Sequence, residues 1–347
     1  MKKTVIFDEF NEIDLKPSDL LSRYIELTEK DVRNLLASSP GKSACACPGC
    51  RSSEERSSFA RFGLNYIECG KCRTLYVSPR PDDTALENYF RHSDARTFWR
   101  GELSKLTQKK RKEKIIKPRF EWIVDSTEEY LPGAGHIADI NTDQSAYLEE
   151  MVKASFFRQK TLIRPFLTAD DLFPAGSVHI IRNSTDAVPL KGALDVITLF
   201  EVADRTADVE RLFSEVHGLL KEGGLCFMTG ILISGFDLQI LWDKAENIFP
   251  PDRLNIFSVE GLNLLFERSG FECLEFSTPG ILDVEIVRKA LENEPAVSIP
   301  RFIEYLVRIR NEGAGRSFQE FLQSNLLSSY GRVVLRKSET EFAGNKL

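Results

Sequence analysis

From Gly135 onward the chain alternates short apolar runs with stretches whose apolar residues recur at helical spacing, the pattern of a βαβ fold. Strands are predicted at His136–Ile140, Lys160–Arg164, Ser177–Ile181, Leu194–Phe200 and Leu225–Thr229, and Phe271–Ser277 and Arg332–Arg336 complete seven. The fourth is apolar almost throughout, which predicts burial on both faces. Between the fourth and fifth, Val209–Lys221 carries apolar residues at helical spacing and is closed by Gly223-Gly224. Upstream, Phe59–Phe62, Leu64–Glu68 and Thr74–Val77 alternate apolar and polar positions, as in a small β ribbon. Residues 235–250 and 281–326 predict about four helices outside the sheet. Their apolar faces, Phe302-Ile303-Tyr305-Leu306-Ile309 and Phe318-Phe321-Leu322-Leu326, suit core packing or a contact with a second copy or a protein partner. The expected organisation is an N-terminal helical segment (1–42), a ribbon (43–81), a helical linker (82–131), the main domain (132–338) and a tail (339–347).

Cysteine usage adds a metal to the ribbon. Five of seven cysteines, Cys45, Cys47, Cys50, Cys69 and Cys72, fall within 28 residues, whereas Cys226 and Cys273 lie in apolar segments. Cys47-Pro48-Gly49-Cys50 and Cys69-Gly70-Lys71-Cys72 are two C-x-x-C pairs with 18 residues between them, a spacing at which two tight knuckles bring four thiolates around zinc. Gly49 and Gly70 are expected to supply positive φ at the knuckles. A disulfide module and a redox pair are the competing readings. The first is disfavoured by the lack of a signal peptide, the second by duplication of the motif. Four sulfur ligands leave no open position, so the zinc is structural and Cys45 is spare.

Charge excludes more than it identifies. With 46 Lys plus Arg against 52 Asp plus Glu, no global basic field points to nucleic acid. Residues 91–119 are the exception, with 11 Lys or Arg against Asp94, Glu102 and Glu113; they read as a solvated helical linker or as a docking surface for phosphates or an acidic partner. No apolar run approaches the roughly 18 residues of a membrane helix, and the start meets acid at Asp8 before an apolar segment forms. The expectation is a cytoplasmic protein without membrane contact. Histidine is sparse (His92, His136, His179, His217), and no serine-histidine-acid spacing or phosphate loop stands out.

Leu194–Val202, the helix after it and Lys221-Glu222-Gly223-Gly224-Leu225 resemble the fourth-strand, helix and fifth-strand block of class I S-adenosylmethionine-dependent methyltransferases. Pro250–Ser258 and Arg268–Glu272 are similar to the segments after strand five in the branch acting on sugars and other small metabolites. The ribbon ending Val77-Ser78-Pro79-Arg80-Pro81 is similar to one found in that branch. The resemblance spans roughly residues 45 to 338. It implies an α/β fold, a seven-stranded Rossmann-like methyltransferase sheet with helical insertions preceded by a zinc ribbon. It also implies S-adenosylmethionine as cofactor and a saccharide or related small metabolite as methyl acceptor.

Carried over residue by residue, the resemblance assigns cofactor contacts to Asp139, Asn141, Asp143, Arg164 and Ser184. The turn after the first strand reads Asp139-Ile140-Asn141-Thr142-Asp143-Gln144-Ser145 where the family has glycines. Arg164 stands where the family places an acid for the ribose hydroxyls, which exchanges an acceptor for a pure donor. Ser184 stands where an acid usually meets the adenine amine. Glu201 and Asp204 are the candidate proton acceptors; Arg205 and Arg253 replace histidines of the family. Arg164, Arg205 and Arg253 are expected near the carboxyl ends of the strands, where α/β sheets bind ligands, and would suit an anion such as a nucleotide-sugar diphosphate. Two functions stay open: methyl transfer, or a degenerate member that serves as a binding or scaffold subunit or takes another anionic ligand.

Overall fold

The structure, a computed structural model, describes residues 17–39, 43–141, 144–164, 176–182, 184–293 and 299–338. The chain begins with helix α1 (Ser18–Ser38) and the ribbon strands β1 (Glu55–Arg61), β2 (Leu64–Cys69) and β3 (Leu75–Val77), followed by α2 (Asp83–His92), α3 (Asp94–Phe98), α4 (Ser104–Arg111) and α5 (Lys117–Tyr130). Asp82 caps α2 by accepting from the Ala85 amide, and Ser93 caps α3 by accepting from Arg96. Then come β4 (His136–Ile140), α6 (Ser145–Lys153), β5 (Gln159–Ile163), β6 (His179–Ile181), β7 (Leu194–Phe200), α7 (Val209–Leu219), β8 (Leu220–Ile231), α8 (Phe236–Leu241), β9 (Asn255–Ile256), α9 (Val259–Arg268) and β10 (Phe271–Ser277). Helices α10 (Asp283–Asn293), α11 (Arg301–Glu304) and α12 (Glu312–Ser324) precede the last strand, β11 (Tyr330–Lys337).

Seven strands form one sheet in the order β10-β11-β8-β7-β4-β5-β6. β4, β5, β6, β7 and β8 pair in parallel, whereas β11 lies antiparallel between β8 and β10. Each predicted strand is present, β4, β7 and β10 with the predicted bounds and the others displaced at their ends by a few residues; β8 begins five residues earlier than predicted because Leu220 already pairs with Leu194. This is the seven-stranded α/β sheet that the sequence predicts. One face packs Ala138, Ile197 and Leu199 against Val209, Phe213 and Val216 of α7 and Leu262, Leu265 and Phe266 of α9. The other packs Ile137, Val196 and Phe227 against Ile123 of α5 and Tyr147, Leu148 and Met151 of α6. Emptying one such site, Phe213→Ala for instance, removes about 3 to 5 kcal/mol.

The ribbon is continuous with the main domain. β3 pairs antiparallel with β9, Leu75 opposite Ile256 and Tyr76 opposite Asn255, so the ribbon sheet takes its fourth strand from the segment after β8. A single core joins Val32, Leu64, Tyr66, Leu75 and Val77 to Phe236, Leu241, Ile248, Val284, Val287, Val307 and Leu322 of the helical insertions. Core packing therefore claims one face of each insertion helix. Phe302, Tyr305, Ile309 and Phe321 are left exposed on the other. The basic stretch is helical as predicted, but Arg96 and Arg119 within it are buried rather than solvated. No helix among the described residues is long and apolar enough to cross a membrane.

Candidate functional site

Four sulfurs meet at the base of the ribbon. The Sγ atoms of Cys47, Cys50, Cys69 and Cys72 all lie within 4.8 Å of one another, with Cys47 and Cys72 3.5 Å apart and Cys50 and Cys69 3.4 Å apart. These separations are far beyond a disulfide bond and close to the roughly 3.8 Å edge of a tetrahedron of sulfurs 2.3 Å from a central ion. The knuckles close through Arg51 N–H to Cys47 C=O (2.8 Å) and Arg73 N–H to Cys69 C=O (3.1 Å). Positive φ falls on Arg51 (61°) and Arg73 (68°), one residue past each pair, and not on Gly49 or Gly70 as expected. Those glycines answer to packing instead: a Cβ at Gly49 would lie 2.7 Å from Thr74 Oγ1 and 3.1 Å from Cys72 Sγ. Cys45 stands outside the cluster, with its Sγ on the Val77 carbonyl. The four thiols fit zinc, and Arg268 of α9, donating to the Pro48 and Gly49 carbonyls, fastens the first knuckle to the main domain.

A second polar cluster occupies the carboxyl ends of β4 and β7. Asp139 is buried, and its Oδ2 accepts from Thr198 Oγ1 (2.7 Å), which in turn accepts from Tyr147 Oη (3.1 Å). At the next turn Asn141 has φ +56°, and its carbonyl accepts from Arg205 Nη2 at 2.5 Å. Glu201, the residue after β7, also has positive φ (57°) and accepts from Arg253 Nη2 (2.9 Å) and from Gln144 Nε2 (3.4 Å). Arg253 reaches Asp204 Oδ2 through Nη1 (3.1 Å). Gln144 accepts in turn from Arg119 Nη1 (3.0 Å), and Arg119 Nη2 donates to Tyr330 Oη (2.8 Å). Burial pushes the Glu201 carboxyl up, but Arg253, Arg119 and Arg205 outweigh it and hold the group at about 2. Asp204, with its side chain 1% exposed, is pushed to about 6 because burial and Glu201 outweigh Arg253. Glu201 is thus a fixed anion and a weak base, and Asp204 is a stronger base enclosed by its surroundings.

Residues 118–275 match the model of a methyltransferase domain family. Over those residues, a little under half of the chain, the sequence resembles a methyltransferase domain. No curated protein sequence matches it. Among solved structures it is similar to an S-adenosylmethionine-dependent methyltransferase from Archaeoglobus fulgidus, at 13% identity and TM-score 0.40, over 62% of this chain and 94% of that one. A second, from Mesorhizobium loti, has 15% identity and TM-score 0.38 over 61% and 96%. Phosphoethanolamine N-methyltransferase 2 of Haemonchus contortus has 14% identity and TM-score 0.41 over 63% and 53%.

Within residues 118–275 the expected cofactor contacts divide. Asp139 is in place but engaged by Thr198. The turn that should offer bare backbone carries the Asn141 side chain and is held by Arg205. Arg164, also at positive φ (50°), does not join the cluster: its Nη2 pairs with Glu215 of α7 at 2.8 Å. Arg205 and Arg253 thus lie together, whereas Arg164, directly after β5, forms a salt bridge with a helix of the sheet domain. Ser184 opens a short 3-10 turn, Ser184–Leu190, and Asp143 lies outside the described residues. Among the described residues, Asn141 where the resemblance implies a glycine and Arg164 where it implies an acid are a poor fit to S-adenosylmethionine. Arg119, Gln144 and Tyr330 were missed by sequence reasoning. The basic stretch was the one available signal for Arg119, and Tyr330 arrives from the far end of the chain through β11.

Proposed function

We propose that this protein keeps the methyltransferase fold but has rebuilt its crevice to hold a ligand other than S-adenosylmethionine, an anionic small metabolite such as a nucleotide sugar or a glycan precursor. The observation that carries the reading is the Arg253–Glu201 and Arg253–Asp204 pairing, joined to Arg205 on the Asn141 carbonyl, at the carboxyl ends of β4 and β7. Ligands of open α/β sheets bind at that end of the strands. Displacing a buried ion pair to admit a nucleoside costs several kcal/mol, which a cofactor lacking its ribose acceptor does not return. Zinc in the Cys47, Cys50, Cys69 and Cys72 cluster has a structural role here, holding the ribbon against α9 and β9.

A second reading, methyl transfer from S-adenosylmethionine to a saccharide or related small metabolite, is favoured by the family match over residues 118–275 and by retention of Asp139. Isothermal titration with S-adenosylhomocysteine separates the two. The first reading expects no heat up to about 1 mM ligand; binding near 1 μM, about 8 kcal/mol, restores the second.

A further inference from the structure

Arg164, Arg205 and Arg253 each have an oxygen partner inside the protein, Glu215 for the first, the Asn141 carbonyl for the second, Glu201 and Asp204 for the third. Two other arginines on the α5 face of the sheet, Arg119 and Arg332, make no direct hydrogen bond or ion pair to a carboxylate among the described residues, although Arg119 acts on Glu201 from beyond Gln144. Arg119 is 2% exposed, and its hydrogen bonds go to neutral groups, Gln144 Oε1 and Tyr330 Oη; its Nε is buried without a partner. Arg332 is 8% exposed, and its Nε is likewise buried without a partner. Its recorded contacts are with rings, 5.4 Å from Trp122 and 5.8 Å from Tyr330. Arg119 lies 5.8 Å from the same Tyr330 ring and 4.8 Å from Phe200. The acid that shares Trp122 with Arg332, Glu275, is taken up by neutral donors, Trp122 Nε1 (3.0 Å), Ser126 Oγ (3.3 Å) and Tyr130 Oη (3.1 Å). Opposite Arg332 across the β8–β11 ladder stands Thr229, whose Oγ1 is also buried without a partner.

A guanidinium stays charged at any ordinary pH, and an aromatic face returns only a small part of the hydration it loses on burial. Two such cations around one tyrosine, each with an unpartnered Nε and no direct ion pair, and a spare hydroxyl on the adjoining strand offer donors to an anion with several acceptor oxygens. We propose that Arg119 and Arg332, with Tyr330 between them and Thr229 Oγ1 beside them, bind the phosphoryl group of the ligand. Phosphoryl oxygens match the guanidinium fork and accept from a hydroxyl as well. The site rests on the reading that the crevice takes an anionic metabolite and gives that anion its protein ligands.

The test is calorimetric titration of the full zinc-loaded chain with pyrophosphate, orthophosphate and acetate, beside the S-adenosylhomocysteine titration, which decides separately whether the cofactor binds. Saturable pyrophosphate binding at least about tenfold tighter than acetate is expected. Arg332→Gln, and equally the charge-preserving Arg332→Lys that loses the fork, should weaken it by about tenfold or more. Arg91→Gln, on the solvent face of α2, should leave it within about twofold. A wild-type chain that gives no saturable heat at about 10 mM pyrophosphate overturns the site, as do acetate binding of equal strength and an Arg332→Gln chain that binds like the wild type.

Discussion

Arg253 is the residue on which the crevice turns. It faces Glu201 and Asp204 at once, and removing it strands two carboxylates of which one is almost wholly enclosed. Arg253→Met should therefore cost about 3 to 5 kcal/mol in urea unfolding, whereas Glu201→Gln, which leaves Arg253 with Asp204, should cost less. The two acids also push stability in opposite directions with pH. Glu201, lowered from 4.5 to about 2, contributes stability that is complete above 4.5 and is lost as pH falls toward 2. Asp204, raised from 3.8 to about 6, is better tolerated protonated, so its contribution falls as pH rises from 3.8 to 6, by roughly 3 kcal/mol at the two-unit scale of the shift. The urea midpoint of Asp204→Asn should stay flat across that window where the wild type declines; a parallel decline in both would remove Asp204 as the cause. Which carboxylates sit near which arginines was not readable beforehand, because Glu201, Asp204 and Arg253 are brought together by the segment after β8 folding back over β7.

At the scale of the element, the four-cysteine ribbon was the most legible part of the chain. Two C-x-x-C pairs need only local turns to converge, and the four sulfurs meet as their spacing requires. What spacing did not show was the ribbon's dependence on the main domain: β9 completes its sheet, Arg268 holds the first knuckle and Ser258 Oγ donates to the Cys72 carbonyl. Removing zinc should accordingly loosen β9 and α9 along with the ribbon. The purified chain is expected to carry about one zinc by elemental analysis. Cys72→Ser or a strong chelator should abolish it and lower the melting temperature, while Cys45→Ser should do neither. Zinc retained in Cys72→Ser would remove the four-sulfur assignment. The knuckle glycines illustrate the limit of local reasoning, since their type is explained by the closeness of Thr74 and Glu54 and not by their own φ.

Across the whole molecule, the methyltransferase match over 118–275 does not mark an independent folding unit. The core that joins Leu64, Tyr66, Leu75 and Val77 to Phe236, Ile248, Val284 and Leu322 is assembled from both ends of the chain. A shortened chain of residues 118–338 leaves that apolar surface open and should show no cooperative thermal transition by circular dichroism, whereas a sharp two-state transition would mean that the domain stands alone. The sheet was legible because its strands are apolar runs at βαβ spacing, and periodicity of two and of 3.6 is a local property of the chain. The convergence of the four cysteines followed from spacing alone for the same reason. Tertiary structure decided the rest: that Arg164 is spent on Glu215, that Arg205 and Arg253 close the crevice, and that Arg119 and Arg332, far apart in sequence, share the ring of Tyr330. Charge compensation depends on distances between residues that only a closed sheet sets, so the sequence by itself determined the scaffold and its four-sulfur cluster, and the folded chain determined which cations are paired inside the protein.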